Sequence, residues 1–407
     1  MKIAFVLNKF PLLSETFILN QITGLIDLGH EVDIYANQIG DISKIHPDVD
    51  KYHLLKRTFY IGRPKNRIGK LSKIIVLLIT KFFLNPIVFL KSINITKYGD
   101  LASNLVLFYA TGYLVGKEAK YDIIHCHFGP NGLKSAFLRD IGVISGKLIS
   151  TFHGYDITNY LEEKGERVYD PLFKLGDLFL PISESWKIRL EKLGCTKKIL
   201  VHRMGIDCNK FTFSVHENPN NDRIRIVSIA RLVEKKGIEY GIRAVAKLLI
   251  KKSNITYTIV GDGLLRENLE ILIDELGIGE QVNLVGWKHQ EEVVSILKDS
   301  DLMLAPSITS KNGDCEGVPV VLMEAMAMGL VIVSTQHSGI PELVKDGITG
   351  FLVPEKDVES LAERMEYLIN HPTIRLGMGK AGRKQVEENY NINKLNYQLA
   401  GIYEALL

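Results

Sequence analysis

The chain has 407 residues, 46% hydrophobic and 24% charged, with a formal net charge of +3. That size suits two or three domains, and the mixture is that of a globular protein able to build real cores, not a disordered or fibrous chain. So small a net charge singles out no partner; the four cysteines, Cys126, Cys195, Cys208 and Cys315, lack Cys-x-x-Cys spacing, which argues against a zinc knuckle or disulfide scaffold and for a reducing compartment.

Short apolar runs alternate with helical patterns throughout, the signature of βαβ units and parallel sheets. Lys2–Leu7 reads as a strand. It is too short for a signal peptide's apolar region and Asn8-Lys9 interrupts it, so the expected location is cytoplasmic. The Lys9–Glu15 loop leads to a helix from about Glu15 to Leu28, stopped by Gly29, and then to a strand at Val32–Tyr35. Ser14 suits a helix cap as well as it suits substrate binding.

From Lys51 to Gly99 there are eleven Lys and Arg residues and no Asp or Glu. They surround two apolar runs that Lys81 and Pro86 split, so neither reaches the roughly 20 residues of a spanning helix. The composition fits a segment lying on an anionic membrane and equally a core helix pair with solvated lysines. Nucleic acid binding is disfavoured, since no recognisable motif accompanies the cations.

Further strands are expected near Ile123–His125, Leu148–Phe152, Leu178–Leu180 and Ile199–His202. His125 and His127 fall on one face of their strand, but no third ligand lies nearby, so a structural role is favoured over metal binding. The polar stretch 216–222 reads as a linker, and the alternation restarts at Ile224. The strand Ile224–Ala230 runs into Arg231, and Lys236-Gly237 opens the next helix. Ligands of open α/β sheets bind outside the carboxyl ends of strands, so these two cations flank a crevice suited to a diphosphate. A second strand, Tyr257–Val260, enters Gly261-Asp262-Gly263, a weak signal by itself. Then comes Glu316-Gly317-Val318-Pro319, with Glu324 eight residues beyond Glu316. Proline favours the first helical position, which predicts a helix from about Val318 with an anion site at Gly317–Val318. Glu324 would lie about two turns inside it.

Together these features resemble the retaining GT-B glycosyltransferases, family 4-like and group 1. The match comprises Arg231-x4-Lys236-Gly237, Val260-Gly261-Asp262-Gly263, Glu316-x7-Glu324, Ser338-Gly339-Ile340-Pro341-Glu342 and Asp346-Gly347-x-x-Gly350-Phe351. Phe10-Pro11-Leu12-Leu13-Ser14-Glu15-Thr16-Phe17, Ile124-His125-Cys126-His127-Phe128 and Thr151-Phe152-His153-Gly154-Tyr155-Asp156 look like the branch that builds colanic acid and related exopolysaccharides.

The resemblance implies two Rossmann-like parallel-sheet domains facing a cleft: an acceptor domain (1–215), the linker, a donor domain (223–390) and a terminal helix (391–407) crossing back to the first. It implies a nucleotide-sugar donor, UDP-hexose favoured over GDP-linked, and a lipid-linked saccharide acceptor, which would make contact of the basic 51–99 segment with an anionic membrane surface sensible. No cofactor is implied. No metal is expected either, as no Asp-x-Asp stands where a strand ends. Arg231, Lys236, Gly261 and the Gly317–Val318 turn would hold the diphosphate side. Glu324 would accept from ribose hydroxyls. Glu316 and His153 would serve the donor sugar. Many relatives carry a glycine pair in the first loop, where this chain has Pro11-Leu12-Leu13-Ser14-Glu15. The alternatives are an epimerase, a phosphorylase, a nicotinamide dehydrogenase, and a catalytically inactive scaffold of an assembly complex. The Glu316–Glu324 pair, the missing pyridoxal lysine signature, the missing Gly-x-Gly-x-x-Gly and the intact set of site residues disfavour them in turn.

Overall fold

The computed structural model describes residues 1–12, 15–42, 45–64, 66–117, 119–214 and 223–407. The 216–222 stretch and Ser14 lie outside them. The chain forms two compact units. The first spans Met1–Ile182, Trp186–His202 and Asn396–Leu407, and the second Ser183–Ser185 and Arg203–Leu395.

The first unit holds β1 (Lys2–Phe10), β2 (Glu31–Ile39), β3 (Thr58–Tyr60), β4 (Lys120–His127), β5 (Ser145–Phe152) and β6 (Leu178–Pro181). They form one parallel sheet in the order β3-β2-β1-β4-β5-β6. Residues Ile3 to Leu7 of β1 are all buried, as expected where helices cover both faces of a parallel sheet. The Thr16–Asp27 helix packs Ile18, Leu19, Ile22 and Leu25 on one side of this core. Leu399, Ala400 and Tyr403 of the terminal Ile392–Glu404 helix join the same core.

The second unit holds β7 (Ile224–Ile229), β8 (Ile255–Val260), β9 (Val282–Gly286), β10 (Leu302–Ala305), β11 (Val331–Thr335) and β12 (Gly350–Val353). They too are parallel, in the order β12-β11-β10-β7-β8-β9. Numbered within its unit, each sheet therefore reads 3-2-1-4-5-6, the doubly wound order whose ligand crevice opens between strands 1 and 4. Those pairs are β1/β4 and β7/β10.

Three expectations need correction. The Ile199–His202 strand is reduced to one bridge, Phe179↔Ile199. Its neighbour β6 is short and ends at Pro181, which has no N–H to extend a ladder. The passage between units falls at His202–Arg203, before residue 215, because Ile206 exchanges backbone hydrogen bonds with Tyr390 and Ile392 and joins the second unit. The helix expected from Val318 is Val320–Ala327, with Pro319 as its N-cap at φ −66° and ψ 123°. Val318 is pinned instead: a Cβ on Gly339 would lie 2.8 Å from both Gly317 O and Val318 Cγ2. Glu324 consequently sits one turn inside, about 6 Å along the axis.

Candidate active site

The carboxyl ends of β7 and β10 border a concavity of about 280 Å³ lined by Ser228, Ile229, Ala230, Lys236, Leu304, Ala305, Ser307 and Pro319, among others. It lies at the strand 1/strand 4 crevice of its sheet. Lys236 reaches it from a turn of 3₁₀ helix, Glu234–Lys236, which Gly237 closes at φ +60°. A Cβ on Gly237 would stand 1.9 Å from Pro306 O, so only glycine lets the turn press against the loop after β10. The helix Ile238–Lys251 starts there.

Lys236 Nζ donates to Glu316 Oε2 at 2.8 Å, and Lys235 Nζ stands 3.5 Å from Oε1. Both side chains of the closer pair are largely buried, at 15% and 10% exposure. Burial alone would raise the Glu316 pKa; Lys236 and then Lys235 outweigh it and hold the carboxyl below its ordinary value. Glu316 is thus an anion, and its partner is the cation expected to meet a diphosphate. The backbone of Glu316 is fixed from behind. Its amide donates to His337 Nε2 at 2.9 Å, and His337 Nδ1 lies 2.6 Å from Glu355 Oε1. Because Nε2 accepts, Nδ1 carries the proton and donates to Glu355. Glu355 also accepts from the Thr309 amide and hydroxyl, at 2.8 and 3.1 Å. Burial raises its pKa, but the Thr309 amide and His337 outweigh that and keep it low.

Glu324 is half-buried and meets Gln290 Nε2 at 3.4 Å. With no cation beside it, burial pushes its carboxyl up to about 7, Gln290 offsetting little. The guanidinium of Arg231 is exposed and makes no ion pair or side-chain hydrogen bond among the described residues. Gly261 stands in the turn directly after β8. Its amide donates to the Gly286 carbonyl at 2.9 Å, and a Cβ there would sit 1.9 Å from Ala230 O. Its demand for glycine comes from the close approach of the turns after β7 and β8.

In the first unit, His153 follows β5. Its Nε2 lies 2.9 Å from His127 Nδ1, its ring stacks on His127, and Phe17 and Phe128 border it at 5.1 and 4.5 Å. Burial lowers its pKa to about 3, so it is neutral. Its Nδ1 has no protein partner among the described residues. Asp156 builds the turn: its carboxylate accepts from the amides of Gly129, His153 and Gly154 at 2.9, 3.0 and 2.9 Å. Those bonds also brace Phe128, which holds a left-handed φ of 71° at the end of β4. His125 and His127 do lie on one face, with rings 4.6 Å apart. Each serves a hydrogen bond network, His125 bonding Tyr403 and Thr151 at 2.6 and 2.7 Å. Beside β1, a second concavity of about 300 Å³ includes Phe10, Pro11, Leu12, Glu15 and His46. Burial there raises Glu15 to about 7, against a smaller opposing effect of Lys9.

Sequence reasoning missed Lys235, His337, Glu355 and Asp156. Asp156 stood within a quoted motif. His337 and Glu355 carried no signal, since their pairing depends on the return of β11 and β12 to one edge.

Two doubly wound parallel sheets in one chain, each with a strand 1/strand 4 crevice, define a GT-B architecture. Residues 209–385 match the glycosyl transferases group 1 family, and residues 14–210 match glycosyltransferase family 4. The chain is 41% identical over 416 aligned positions, covering 100% of both sequences, to the "Putative colanic acid biosynthesis glycosyltransferase WcaL" of Salmonella typhimurium. It is 39% identical, again over 100% of both, to the amylovoran biosynthesis glycosyltransferase AmsK of Erwinia amylovora. The crystal structure of Anabaena HepE in complex with UDP and glucose superposes with a TM-score of 0.73 at 18% identity, covering 100% of each chain. The chain belongs to the group 1, family 4-like glycosyltransferases.

Proposed function

We propose that this glycosyltransferase moves a hexose from a nucleotide sugar, UDP-linked in preference to GDP-linked, to a lipid-linked saccharide in exopolysaccharide biosynthesis. The observation that carries this reading is the Lys236–Glu316 pair at the β7/β10 crevice, 2.8 Å apart. It places a cation for phosphate and an anion for sugar hydroxyls at one point. The full-length likeness to WcaL and AmsK supports the exopolysaccharide setting. HepE, whose structure holds UDP and glucose, shares the fold.

In this reading the incoming diphosphate takes over Lys236 and recruits the unpaired Arg231. At the start of the Val320–Ala327 helix the Leu322 amide is taken by the Pro319 carbonyl at 3.1 Å, leaving the amides of Val320 and Val321 to meet the diphosphate. Glu316, released from Lys236, accepts from the hexose hydroxyls and opposes the positive charge that develops at the anomeric carbon. Preorganised charge of this kind is the largest catalytic contribution in many enzymes. The anomeric C–O bond to the diphosphate breaks as the acceptor hydroxyl oxygen bonds to the same face of that carbon. The acceptor proton passes to the departing phosphate oxygen, so configuration is retained and no protein nucleophile is used. Neutral His153 offers Nδ1 to the donor sugar, and Glu324 holds the ribose hydroxyls. The charge for the leaving group comes from side chains and amides, without a metal ion.

The test is a thermal-shift panel of UDP-glucose, UDP-galactose, UDP-GlcNAc, UDP-GlcA and GDP-mannose, followed by assay of nucleotide release. A ligand at about 100 times its dissociation constant stabilises by about 2.7 kcal/mol. One UDP-sugar should stand out and be slowly hydrolysed. Stabilisation by none, or binding without any turnover even with acceptor present, would refute the reading.

A further inference from the structure

The 67–95 segment of the first unit buries Leu77, Val88 and Phe89 but turns most of its other apolar side chains outward. The Arg67–Thr80 helix buries a single residue, Leu77, whose side chain meets Gly112. On the opposite side, Ile68, Leu71, Ile75 and Ile79 follow the i, i+3, i+7, i+11 spacing and form one stripe. Ile68 is 81% exposed and Ile79 71%. Beyond the helix the chain also exposes Phe83, by 80%, and Ile87. Isolated exposed apolar residues are ordinary; a contiguous set of this extent marks an interaction surface.

Charge decides the occupant. No Asp or Glu occurs between Lys51 and Gly99, while eleven Lys and Arg do; Arg67 flanks the stripe and Lys91 lies one turn beyond Ile87 on the same side of the Pro86–Ser92 helix, whereas the spacing puts Lys70 and Lys73 nearer the Leu77 side. A second copy docking the same patch on itself in a twofold interface would set these cations against each other. An anionic bilayer supplies both complements: acyl chains for the stripe and lipid phosphates for the cations, whose long stems let the charged heads reach them. No helix among the described residues is long and apolar enough to cross a membrane, so the contact is one of lying on the surface.

We propose that residues 67–95 form a docking surface for an anionic lipid bilayer, seated by Ile68, Leu71, Ile75, Ile79, Phe83 and Ile87. This deepens the reading of a lipid-linked acceptor by naming the surface that brings the enzyme to it. The test uses neither donor nor acceptor, so its failure is separate from failure of sugar transfer.

The full chain is sedimented with vesicles of phosphatidylcholine alone or with a third phosphatidylglycerol, in 0.1 and 0.5 M salt. Binding should require phosphatidylglycerol and fall at least tenfold in the higher salt, where charges are screened. Ile75→Ser with Ile79→Ser should lose at least tenfold while keeping the wild-type melting temperature, because both residues are exposed. Phe83→Trp should bring a blue shift in emission on adding anionic vesicles, reporting burial at this site. Equal binding to both vesicle types, binding to neither, or no emission shift would overturn the proposal. So would a concentration-dependent dimer that the double serine variant abolishes, which would assign the face to a second copy.

Discussion

Replacing Lys236 by Met keeps the stem and removes the ammonium 2.8 Å from Glu316. The carboxylate is then left largely buried, with Lys235 at 3.5 Å as its nearest remaining cation. Breaking a buried pair by removing one partner costs about 3–5 kcal/mol, and Lys235 should retain part of that, leaving a loss of about 2–3 kcal/mol. For a domain of this size each kcal/mol shifts the melting temperature by about 2–4 °C, so the second unit should melt roughly 5–10 °C lower near pH 8. The loss has a signature in pH. The folded chain holds Glu316 below its ordinary 4.5, so the pair contributes stability above that pH and loses it as pH falls through the folded value. In the variant, burial prevails and the carboxyl takes up its proton at higher pH. The deficit should therefore be greatest at pH 8 and shrink toward pH 4.5. UDP affinity at pH 8 should fall by about 10- to 150-fold, the equivalent of one charged hydrogen bond at about 1.5–3 kcal/mol. Scanning calorimetry across pH with a UDP titration decides it. Equal melting at pH 8, or a deficit that widens toward pH 5, would refute the reasoning.

Glu324→Gln should weaken UDP binding and flatten its pH dependence relative to the wild type, in which affinity rises as pH passes through the Glu324 value of about 7 and the carboxylate becomes a full acceptor; calorimetry from pH 6 to 8.5 measures the difference. His337→Phe leaves the Glu316 amide without its acceptor, so UDP binding should stay within about threefold while kcat with the preferred UDP-sugar drops at least tenfold; a parallel loss of both would make His337 merely structural. The His153 ring, with its pKa near 3, should show no titration between pH 5 and 8 in carbon-13 NMR, and a midpoint above 5 would contradict its buried, neutral state.

The fold was legible because parallel strands buried on both faces leave unbroken apolar runs, such as Ile3–Leu7. Lys236 and Glu316 were legible as separate motif members, since each stands where a strand or loop meets a helix. Their direct pairing was not, for it depends on β7 and β10 lying side by side although far apart in sequence. The start of the Val320–Ala327 helix was misplaced for a related reason. Local propensity put Pro319 at the first helical position, but packing of Val318 against Gly339 delays the helix by two residues. The exposed stripe from Ile68 to Ile87 shows the limit from the other side. Its composition was equally that of a core helix pair, and only the three-dimensional arrangement leaves it uncovered.

The central claim, transfer of a sugar from a nucleotide donor at the Lys236–Glu316 site, is tested most directly by following radiolabel from UDP-hexose into organic-extractable lipid-linked saccharide. Membranes lacking the endogenous enzyme serve as acceptor, and the preferred UDP-hexose of the thermal-shift panel as donor. Wild type should label the lipid fraction, and Glu316→Gln should bind UDP normally yet label it at least a hundredfold more slowly. Undiminished labelling by Glu316→Gln, or none by wild type with any donor of the panel, would contradict the account.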